Sequence, residues 1–267
     1  MFRPLMIAIA LMAVQPVVHA QSALTRSDKA ELDELRSTVK DLVNERRELI
    51  LADELPVVPS APQPLQVQAP ATGTPLERTT RFISDYYASM NAYDVALAKR
   101  IMALSNEHLL SPQTLSTPGK LEESLRKVDE LERLFVDIEH RQPELLEHFV
   151  TVLRGIWKGQ RGEGSFIQGV EIGMRRRNDM LKELFDVRRQ SIATFRDLLT
   201  FAREASPGLD DGVLVFETDE QIDRYNAHVQ AIDGLVEREQ AVFTKMADAM
   251  KKLADEMSEP APAKRLQ

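Results

Sequence analysis

Six basic residues stand out in a chain that is otherwise acidic: Arg175-Arg176-Arg177, then Lys182, then Arg188-Arg189. A guanidinium can grip carboxylate or phosphate oxygens through two parallel N–H bonds. The run therefore suits an anionic glycan or an acidic partner, or else pairs with the acidic faces of its own neighbouring helices. Arg177 and Arg188 fall close to the apolar stripe of their helix, which places them near the core or along a groove. Three of the four tyrosines cluster at Tyr86, Tyr87 and Tyr93. Rigid amphipathic rings are favoured at recognition surfaces, and they are equally at home at the boundary of a helical bundle. Tyr86, Tyr87, Tyr93, Arg175, Arg176, Arg177 and Arg188 form the candidate partner or ligand surface.

Other combinations carry less. His140, Glu144 and His148 are spaced four apart and could share a helix face, but Pro143 interrupts it. A carboxylate-bridged metal bundle needs two Glu-x-x-His pairs and further carboxylates, and only Asp137-x-x-His140 approaches that pattern. Gly159-Gln160-Arg161-Gly162-Glu163-Gly164-Ser165 could cradle an anion at a helix start. It has neither the Lys-Ser/Thr ending nor the preceding strand of a phosphate loop, so it reads as a helix stop and turn. No G-x-S-x-G elbow is present. No catalytic residue, cofactor site or metal site is assigned.

Composition narrows the options further. The 267 residues hold 34 Lys+Arg against 42 Asp+Glu, a net charge of −8. An acidic balance argues against general binding to nucleic acid or anionic membranes. The absence of cysteine excludes disulfides, thiolate metal sites, a Cys nucleophile and a lipid-modified N-terminal Cys. Leu and Ala are plentiful and β-branched runs rare, so helix is the expected element.

The elements that must position these residues follow from periodicity. Residues 21–54 read as one polar helix in which Leu32, Leu35, Val39, Leu42 and Leu49 alternate at spacings of three and four. Arg46 fills the one missing position of this heptad seam. A seam so narrow calls for a partner: a second copy of the chain, another protein of the envelope, or the main domain of the same chain. Residues 55–75 hold six prolines and no charge, predicting an extended, semi-rigid spacer. Thr74-Pro75-Leu76-Glu77 is a capping box with Pro at the first helical position, and it opens a helix running to about Asn106. A second helix carries Leu121, Leu125, Val128, Leu131, Phe135 and Ile138, with Pro143 kinking or restarting it. A third spans about Ser165 to Ala205. After the apolar run Val213 to Phe216, a second capping box, Thr218-Asp219-Glu220-Gln221, opens the last helix. Its stripe runs Ile222, Tyr225, Val229, Ile232, Val236, Phe243, Met246, Met250, Leu253 and Met257, broken at Glu239. The expected fold is all-α: an elongated antiparallel four-helix bundle over 76–257, about 50–60 Å long at 1.5 Å per residue. Residues 258–267 read as a loose tail.

The N-terminus supplies an address. Arg3, the apolar run Leu5 to Val14, the break at Gln15-Pro16 and Val18-His19-Ala20 have the form of a secretory signal cleaved near Ala20. The apolar run is too short to span a bilayer. The layout of signal, heptad helix, Pro-rich linker and helical domain is similar to that of some Gram-negative periplasmic envelope adaptors. It implies a periplasmic or secreted, non-enzymatic interaction or scaffold protein acting by protein–protein binding, with self-association through residues 21–54. The alternative is a periplasmic small-ligand-binding or sensor bundle, with an enzyme a third option. A buried polar pocket favours the ligand reading. An exposed apolar strip favours the partner reading.

Overall fold

The computed structural model describes residues 26–51, 57, 63–105 and 108–258, so the signal-like segment and the C-terminal tail lie outside the described residues. The described chain is predominantly helical. Six helices are present, α1 (Arg26–Leu51), α2 (Pro75–Leu104), α3 (Pro112–Leu115), α4 (Pro118–Trp157), α5 (Glu163–Ala205) and α6 (Asp219–Ser258), with one 3-10 turn at Pro64–Gln66. None of the described helices is long and apolar enough to cross a membrane.

Both capping boxes form. The Thr74 hydroxyl accepts from the Glu77 amide (3.2 Å), and Glu77 accepts in return from the Thr74 amide (2.9 Å). Gln221 and Thr218 repeat the exchange at the start of α6. Gly159 and Gly162 both take positive φ between α4 and α5, conformations that a side chain resists. α4 continues through Pro143 rather than restarting there. A proline inside a helix costs about 3 kcal/mol. Phe135, Ile138, Leu145 and Phe149 are all buried on either side of it, and each contributes about 1.5–3 kcal/mol, so burial outweighs the lost hydrogen bond.

The apolar run that begins at Val213 is extended: Val213–Val215 forms strand β2, paired antiparallel with β1 (Gly208–Asp210) in the register Leu209 opposite Leu214. Asp211 and Gly212, at φ 45° and 81°, make the tight turn that Asp-Gly favours between strands.

The chain divides into two compact units. One, the hairpin unit, comprises residues 97–141 and 182–242. The other, the α1 unit, comprises the described residues up to Ala96, then 142–181 and 243–258. α1 thus shares a unit with parts of α2, α4, α5 and α6. Of its expected seam, Leu32, Leu35 and Val39 are buried by the chain's own residues, together with Val43, while Leu42 is half-buried. The side chain of Leu49 lies outside the described residues. These three positions match the option in which the helix packs on the rest of its own chain.

The spacer is docked in its second half as well. Pro64 and Val67 are buried. Arg78 donates to the Pro70 carbonyl (2.7 Å), and the His148 ring meets the Val67 carbonyl (2.8 Å). Proline blocks regular pairing, but an uncharged segment can still lie on an apolar surface where side chains satisfy its carbonyls.

Candidate functional site

The tyrosine and arginine candidates are largely interior. In the α1 unit, α2 buries a wide face and exposes Arg81, Asp85 and Ala88. Phe82, Ile83, Tyr86, Tyr87, Met90, Asn91, Asp94 and Val95 are all shielded from solvent. Adjacent residues of a helix lie about 100° apart, so a wide buried face takes both Tyr86 and Tyr87. α1 meets α2 at Asn91 and Asp94. The fastening is polar: Arg46 on α1 donates to Asn91 Oδ1 (2.7 Å) and pairs with the Asp94 carboxylate, and Asn91 Nδ2 donates to Glu45 (3.3 Å). Arg46, the residue that breaks the heptad stripe, is half of a buried ion pair.

Tyr86 donates its hydroxyl to the Leu145 carbonyl (2.9 Å) and packs edge-on among Phe82, Phe149 and His148. Trp157 stacks on Phe166 with ring centroids 4.4 Å apart, and its indole N–H donates to Thr79 (2.9 Å). Arg177, 1% exposed, donates to Gln142 Oε1 (2.6 Å) and to Asn178 Oδ1 (3.4 Å), and it has no carboxylate partner. Around α2 the described residues thus set two buried guanidiniums, Arg46 and Arg177, against the one buried carboxylate of Asp94.

The electrostatics follow from that count. Desolvation raises Asp94 to about 6, against the opposing pull of Arg46. Desolvation lowers Arg177 to about 10, only partly offset by the nearby Tyr86, Tyr87 and Asp94. Burial raises the Tyr86 phenol well above its usual value, so it acts as a neutral donor. Tyr86, Asp94 and Arg177 are all buried. Tyr93 is half-buried, and Arg175 and Arg176 are exposed. Arg176 lines an open cleft of about 320 Å³ with Asp179, Met180, Lys252, Leu253 and Glu256. Its two cations and two carboxylates leave it with no net preference for either sign of ligand.

In the hairpin unit the remaining candidate is also internal. Arg188 is fully buried, pairs with Glu239 of α6 and lies 5.4 Å from the Phe135 ring centroid. Glu239 is the break in the α6 stripe, so this interruption too is half of an ion pair. Arg189 reaches Glu139 on the surface (2.6 Å). Of the seven surface candidates, the structure brings Tyr86, Tyr87 and Arg177 together in one interior and places Arg188 in another.

The accessible feature that sequence reasoning missed is on α6. Its second half buries Phe243, Met246, Met250 and Leu253. Its first half, residues 219–234, buries none of its side chains fully. Ile222 (41% exposed), half-buried Val229 and Val236 (43% exposed) recur every seven residues and so form one line. Beside it the hairpin exposes Leu209, Val213 and Val215, joined to α6 through Phe216 against Tyr225 (centroids 5.3 Å). Asp219 and Asp233 lie within a turn of the line, and residues 219–238 carry five acidic and two basic side chains.

Among the described residues no group of three or more His, Asp or Glu side chains is placed to hold a metal ion. His148 is engaged by the Val67 carbonyl. At the glycine-rich turn, Glu163 accepts from the Gly159 amide (2.8 Å), so the chain supplies its own anion there. No protein-family model, curated protein or solved structure matches this chain.

Proposed function

We propose that this chain is an exported, non-enzymatic helical bundle of the bacterial cell envelope that works by binding another protein. Export rests on the signal-like pattern of residues 1–20. The binding reading rests on one observation: the Ile222–Val229–Val236 line of α6 and the adjoining hairpin leave apolar side chains in water while the continuation of the same stripe is buried. Contiguous exposed apolar surface rimmed by polar residues marks interaction sites. Acidic residues flank this line, so a second copy would meet like charge. The fitting occupant is a helical segment of another protein, with an apolar ridge bordered by Lys and Arg. The surface suits binding rather than reaction, since it carries no paired acid and base.

The test is photo-crosslinking in intact cells, with a reactive residue at Val236 or Ile222 and a control at exposed Ala231 on the opposite side of α6. A discrete heteromeric adduct is expected from the first two positions and not from the control. Adducts equal at all three positions, or a homodimer at Val236, would reject the reading. The small-ligand alternative draws instead on the buried polar cluster of the α1 unit.

A further inference from the structure

We infer that Arg177 and Gln142 form a buried binding site for a small monovalent anion. Arg177 is 1% exposed and Gln142 is 6% exposed. A cation taken out of water needs an opposite charge. The carboxylate in its surroundings, Asp94, is already held by Arg46. The partners of Arg177 are two neutral amide oxygens, Gln142 Oε1 and Asn178 Oδ1.

Two donors are then left over. Arg177 Nε and Gln142 Nε2 are both buried and donate to nothing. Nε lies on the same edge of the guanidinium as Nη2, and Nη2 is the atom that holds Gln142. Both idle N–H groups thus belong to the one Arg177–Gln142 pair. An anion seated there would accept from both and cancel the surplus positive charge. Tyr86, Tyr87 and Gln142 are all buried, and so enclosed a site favours a small anion that sheds water readily. Asp94 Oδ1, an acceptor without a donor, opposes multiply charged anions. This inference does not depend on the α6 surface or on the proposed partner.

The experiment uses the full chain. Thermal unfolding is followed as chloride replaces fluoride at a constant ionic strength of about 0.1 M, where surface charges are screened beyond about 10 Å. The melting temperature should rise with chloride and saturate, as binding to the native state requires. A crystal grown in bromide should show an anomalous peak in contact with Arg177 Nε. Arg177→Met should abolish the chloride response. If that variant fails to fold, Gln142→Leu, which keeps the cation, should weaken the apparent chloride affinity at least tenfold. A water at this position with no chloride-specific shift would overturn the inference. So would a bromide peak without any solution response, which is binding at crystal concentration only.

Discussion

Removing the Asp94 carboxylate strands Arg46 in the interior, and the size of the loss can be worked out from the structure. Asp94 is fully buried and Arg46 is 2% exposed. Breaking a buried pair on one side costs about 3–5 kcal/mol, because the remaining charge stays desolvated. Asp94→Ala should therefore remove a large share of a total stability that is only about 5–15 kcal/mol for a typical domain. Replacing both partners by apolar residues, Arg46→Met with Asp94→Leu, removes the desolvation cost together with the attraction. That double variant should lie within about 1 kcal/mol of the wild type or be more stable. Urea unfolding followed by far-UV circular dichroism, run on the two single variants, the double variant and the wild type, gives the coupling directly. An Asp94→Ala loss below about 1 kcal/mol, or a double variant as damaged as the single, would refute the packing of α1 on α2. It would return α1 to the solvent as a free heptad helix.

Three further outcomes follow from the same geometry. Asp94 moves from 3.8 to about 6 on folding, so protonation stabilises the native state. That contribution is complete below about pH 4 and is lost as pH rises through 6. It amounts to about 3 kcal/mol at 1.36 kcal/mol per unit, so the wild type should gain by that order on the Arg46→Met, Asp94→Leu variant between pH 7 and pH 4 in paired urea titrations. Glu239→Ala should destabilise the hairpin unit by about 3–5 kcal/mol through the stranded Arg188, and Glu239→Gln should recover part of that loss in thermal unfolding. Val236→Asp should change stability by no more than about 0.5 kcal/mol while abolishing the heteromeric adduct expected at Ile222.

Local signals in the sequence were reliable wherever the deciding atoms lie within one turn of each other. The boxes at Thr74 and Thr218 placed the starts of α2 and α6, and Gly159 and Gly162 marked the turn before α5. The Asp211-Gly212 hairpin was equally local, but its strands are only three residues long and gave no alternating pattern to read. The two stripe breaks were visible as breaks and illegible as pairs. Arg46 and Asp94 are 48 residues apart, and nothing in periodicity says which residue stands opposite. The same blindness explains Tyr86, whose hydroxyl finds the Leu145 carbonyl 59 residues away. It also explains α6, where one stripe, broken only at Glu239, spans an exposed half and a buried half. A periodic pattern reports the face a helix could bury, whereas the neighbours decide how much of it is covered.

The docked second half of the Pro-rich segment alters what that segment is for. Leu51 and Pro64 belong to the same compact unit, so the chain between them sets a local concentration rather than a reach. A short tether of this kind holds its helix at an effective concentration in the millimolar range. A single proteolytic nick between Leu51 and Pro64 would turn the attachment of α1 into an ordinary bimolecular equilibrium. The helix could then be diluted away, displaced by a competing peptide, or exchanged between chains. The uncharged, proline-dense stretch thereby acts as a covalent fuse on a helix that the buried Arg46–Asp94 pair has already fastened in place.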